Sequence, residues 1–186
     1  MSNAPENVMA GRMRAVVASA CGILAAAAVP AALLVVPYAI GSLEHEDAYA
    51  WVRIRTFATI ALFISAVHVL VLGLPAFLLL HGLGKVRWWS AITGGFVLGC
   101  IPVGVWTWPM RYTDLKSTSS YWDGEKMVQT MVDGVPTAAG WLSYVSSVSL
   151  MGLLGALGGL AFWLAWWGVR GDNRRQRSLR EESVNA

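Results

Sequence analysis

Few side chains in this 186-residue sequence have the type and setting to do chemistry. His68 stands in the middle of a long apolar stretch, where an ionisable group is by default a functional hypothesis. A proton relay would need a carboxylate at the same depth, and neither this stretch nor the other three apolar runs contains one. Haem ligation would need a second axial ligand. His81 lies about 20 Å further along the same helix at helical rise, and His45 lies outside the apolar runs. Ser65 is one turn before His68 and is the expected hydrogen-bond partner for a neutral imidazole. As a nucleophile pair the two lack a third group and an oxyanion motif.

Glu44-His45-Glu46-Asp47 is the densest polar cluster. Three carboxylates and an imidazole could hold a divalent cation. Contiguous side chains do not converge without an unusual loop, so a solvated acidic run beside Arg53 and Arg55 is expected instead. Cys21 and Cys100 form no CxxC pair and read as small packing residues. Phosphate-binding glycine loops, HExxH and zinc spacings do not occur in the sequence. No catalytic residue, cofactor or metal is therefore expected, and enzyme action is the weaker reading.

The elements that must position these residues are four apolar runs without Asp, Glu, Lys or Arg, read as spans at about residues 15–40, 56–80, 88–108 and 145–166. A bilayer core of about 30 Å takes roughly 20 helical residues. The whole chain is 56% hydrophobic and 13% charged, with a mean hydropathy of +0.53, too few charges to coat a soluble surface. An all-α fold follows: an integral membrane bundle of four transmembrane helices. A cleaved signal peptide, with Arg12 and Arg14 before the apolar run and Ala25 and Ala27 at the cleavage site, is disfavoured because that run continues through Ile40.

Orientation rests on Lys and Arg. With residues 1–14, the loop 81–87 and the basic tail 170–186 on one side, that side holds Arg12, Arg14, Lys85, Arg87, Arg170, Arg174, Arg175, Arg177 and Arg180. The loops 41–55 and 109–136 hold only Arg53, Arg55, Arg111, Lys116 and Lys126. The positive-inside rule makes both termini cytoplasmic. Trp88, Trp89, Trp163, Trp166 and Trp167 then fall at the inner interface, and Tyr38, Trp51, Trp106, Trp108, Trp141 and Tyr144 at the outer one. A pI near 9.1 becomes a topology signal, and nucleic acid is not an expected partner.

Small residues recur at spacing four: Ala18, Gly22 and Ala26 in the first run, Gly95 and Gly99 in the third, Gly155 and Gly159 in the fourth. Such spacing lets membrane helices approach closely, here within the bundle, with a homo-oligomer seam as the alternative. In the outer loop, Met127, Val128, Met131 and Val132 recur at helical spacing opposite Glu125, Lys126, Gln129 and Thr130. A short outer amphipathic helix before the fourth span is the expectation, its Met-rich face the expected partner-binding surface. The function expected is that of a multi-pass protein, in a bacterial inner membrane, that binds another membrane or secreted protein as an assembly accessory or an immunity-type protector. An oligomeric transporter or channel subunit is the first alternative, and a membrane-embedded enzyme at the outer interface the second. The lipid bilayer is the one partner implied throughout.

Overall fold

The computed structural model describes the backbone of residues 4–44, 48–111 and 116–184, with the side chains of Met13 and of residues 15–44, 48–111 and 116–169. Its helices are α1 (Ala4–Leu43), α2 (Ala50–His68), α3 (Leu74–Gly82), α4 (Trp88–Trp106) and α5 (Ala138–Val184). One π turn, Val69–Gly73, joins α2 to α3 in a continuous rod. Four helical stretches are long and apolar enough to cross a membrane: Ala15–Leu43, Ala50–Gly82, Trp88–Arg111 and Ala138–Val169. Their outward faces stay bare, with Leu24, Phe63 and Leu79 more than half exposed. In water such a surface would associate, whereas lipid is a matching solvent for it.

The rod α2–α3 starts at Ala50, six residues before the expected span, so Arg53 and Arg55 ride on its first turns rather than in a loop. The π turn has a local cause. Pro75 offers no N–H to Val71, and its ring would crowd that carbonyl. The chain widens one turn earlier, where the N–H of Leu74 donates to the carbonyl of Val69, five residues back.

Helix α5 is the central element, with α1 on one side and α4 on the other, and α2 packs onto α1. The α4–α5 contact is made through glycine. A Cβ on Gly95 would run into the Gly155 carbonyl, and one on Gly99 into the Met151 carbonyl. Reciprocally, a Cβ on Gly155 would meet the Gly95 carbonyl, and one on Gly159 the Ala91 carbonyl. The two backbones therefore touch, as small residues at spacing four permit. Cys100 Sγ reaches the Val148 carbonyl at 3.6 Å across the same seam. Helix α1 meets α5 through Gly22, seated against the Phe162 ring, and through Ala26 and Pro30 opposite Gly158.

The fold is not all-α. Where an amphipathic helix was expected, the chain forms a three-stranded antiparallel sheet in the order β1 (Ser119–Trp122), β2 (Met127–Val132), β3 (Val135–Pro136). Two Asp-Gly dipeptides decide it. Asp133 and Gly134 both have positive φ, 49° and 80°, as the two-residue turns that match strand twist require. Asp123-Gly124 opens the other hairpin, where Asp123 Oδ1 accepts from the backbone N–H groups of Glu125 and Lys126 at 2.9 Å each. The Lys126 N–H, then that of Glu125, hold the Asp123 carboxyl below the ordinary carboxylate range.

Candidate functional site

Among the described residues, two surfaces stand out as able to bind something. The first is the sheet, anchored to the N-terminal end of α5 by one residue. Thr137 donates its N–H to the Thr130 carbonyl at 3.0 Å and its hydroxyl to the Gln129 carbonyl at 2.6 Å. The same hydroxyl accepts from the Gly140 N–H at 3.2 Å, capping α5. Gly140 lies so close to Thr130 that a Cβ there would strike the Thr130 carbonyl. Beside this clamp, Trp108, Trp141 and Tyr144 form a three-ring cluster with centroids 5.6–6.0 Å apart. The Tyr144 hydroxyl donates to the Gly104 carbonyl at 3.0 Å, tying α4 to α5 at the same end.

A bulge sets which strand residues face outward. Ser119 pairs with Met131 but Ser120 pairs with Gln129, leaving Thr130 as the extra residue on β2. Along β2 the accessibility runs exposed, half-buried, exposed, half-buried, half-buried, exposed, and the break in alternation falls at that bulge. Met127, Val128, Met131 and Val132 therefore do not form one stripe. Met127 and Val132 face out, whereas Val128 and Met131 are half-buried, Met131 with the Ser117 hydroxyl on its sulfur. Cross-strand pairing adds two residues that periodicity did not single out, Trp122 opposite Met127 and Val135 opposite Val132. The outer face thus carries Trp122 (60% exposed), Met127 (61%), Val132 (37%) and Val135 (63%), with Ser120 and Gln129 between the two pairs.

The second surface is a cleft of about 490 Å³ inside the bundle. Helices α1 and α5 form its floor, α2–α3 one wall and α4 the other. The two walls make their main backbone approach at the π turn. Its lining is almost wholly apolar, and among the described residues His68 is the one ionisable group in it. Ser65 is not the partner of that imidazole. Its hydroxyl donates to the Ala27 carbonyl at 2.8 Å, pinning α2 to α1, and the His68 imidazole has no hydrogen bond to a described residue. Ser90, also on the lining, is likewise spent: it bonds the Lys85 and Arg87 carbonyls at 2.9 and 2.8 Å. Gly95, Gly99, Gly155 and Gly159 border the cleft from behind, where α4 and α5 meet.

Among the described residues no three His, Cys, Asp or Glu side chains gather as a metal site. Of the acidic run, His45, Glu46 and Asp47 lie outside the described residues, and Glu44 is exposed. Four apolar helices of spanning length, with a polar-turned sheet at one end, make the architecture of a multi-pass membrane protein. Comparison with protein-family models, with curated proteins and with solved structures finds no match to this chain.

Proposed function

We propose that the chain is a binding protein of a bacterial inner membrane, with both termini cytoplasmic and the sheet on the opposite side, where it holds another membrane or secreted protein. The carrying observation is the outer face of the sheet. Trp122, Met127, Val132 and Val135 stand exposed on a platform that Thr137 locks to α5. An aromatic and a Met side chain on a rigid support suit an interface anchor, because little further order is needed on binding. The excess of Lys and Arg in residues 1–14, 81–87 and 170–186 supports the orientation. An ion pathway needs polar lining, and the cleft contributes one imidazole.

The test is a comparison at matched membrane abundance. Trp122→Ser with Met127→Ser should abolish crosslinking of a discrete protein to a photoreactive residue at Val135, with melting unchanged. His68→Ala should leave that crosslink in place. If the sheet variant is silent while His68→Ala destroys the cellular phenotype, the binding reading fails and transport or catalysis replaces it.

A further inference from the structure

The cleft has a lining that selects its occupant. Along α4 it runs from Ser90 to Val103, about 20 Å at helical rise. Water is a poor filler, since it requires two to four polar partners, and both lining hydroxyls are already bonded within the chain. The solvent that matches such a lining in a bilayer is hydrocarbon.

Charge borders the end of the cleft away from the sheet. Val86 lines that end, and Lys85 and Arg87, one residue to either side, stand just outside the lining. Both are exposed, and neither makes an ion pair with a described residue. The adjoining N-terminal end of α4 adds partial positive charge.

We propose that this cleft is a phospholipid site: one acyl chain lies between α2–α3 and α4, and Lys85 and Arg87 hold the phosphate of an anionic headgroup. The chain fills the space that α2–α3 and α4 leave between them away from the π turn. The two cations select anionic over zwitterionic lipid by simple charge complementarity. The site is separate from the sheet face and does not depend on what that face binds.

The test uses the full chain in phosphatidylcholine vesicles doped with phosphatidylglycerol carrying a diazirine on its acyl chain. Illumination should label peptides with cleft residues such as His68, Leu98 and Phe162. In native mass spectra, Lys85→Gln with Arg87→Gln should lower bound phosphatidylglycerol roughly 30-fold, at the usual worth of a juxtamembrane cation, and leave phosphatidylcholine unchanged. Gly94→Leu should expel both lipids without unfolding the chain, because nothing lies within 4 Å of a Cβ at Gly94. The proposal is overturned if labelling falls only on outward residues such as Phe63 and Leu79. It is equally overturned if Gly94→Leu retains lipid, or if a Gly94→Cys variant crosslinks to a second copy, since a protein then fills the cleft.

Discussion

Gly94 and Gly95 are neighbours on α4 and border two different regions. Gly95 sits in the α4–α5 seam, where its Cα stands against the backbone of α5 and the missing side chain is what permits contact. Gly94 opens into the cleft toward α2–α3, with nothing within 4 Å of where a Cβ would be. One helix thus has a closed face and an open face, one residue apart. In a membrane no hydrophobic force closes the open face, because lipid is as apolar as the helix it covers. Only surfaces flat enough for backbone contact close tightly, and the glycines of α4 and α5 supply one such surface.

The sharpest way to break the contrast is to add bulk on each side. Gly95→Leu should destroy the seam, since the side chain meets the Gly155 carbonyl rather than a movable side chain. The loss should reach or exceed the upper end of about 1–3 kcal/mol for overpacked cores. Melting in detergent should show it, whereas Gly94→Leu should melt near the parent. Equal losses at both positions would mean that the cleft is closed.

A smaller effect is expected where the sheet joins the seam. Thr137→Ala removes the cap of α5 and the hydroxyl bond to Gln129, for a loss of about 1–2 kcal/mol. Amide exchange should speed up at Gln129–Val132 before it changes in α4. Uniform acceleration across both elements would show that sheet and seam unfold as one unit.

The smallest effect is acidification of the Asp123 hairpin. The folded carboxyl titrates below its unfolded value, so its contribution is full above the ordinary carboxylate range and fades as pH falls through the lowered value. Strand chemical shifts at Trp122 and Met127 should move in that acidic window, and Asp123→Asn should flatten the response. Seam resonances at Gly99 should not follow.

The four apolar helices were legible in the sequence because span length and hydropathy are local, additive properties of a segment. Small residues at spacing four were legible too, as residue types that allow close approach. The strand at Met127–Val132 was misread from periodicity, since six residues with apolar positions at i, i+1, i+4 and i+5 fit a helix turn as well as a bulged strand. The local clue was the pair of Asp-Gly turns on either side, Asp123-Gly124 and Asp133-Gly134. Tertiary structure alone decided that Ser65 serves the Ala27 carbonyl rather than His68. It also decided that Trp122 and Val135 share a face with Met127 and Val132, and that α4 closes on α5 but not on α2–α3. These are pairings between segments distant in sequence. A segment's own composition sets how it prefers to fold, but which partner it meets depends on surfaces that exist only once the chain has packed.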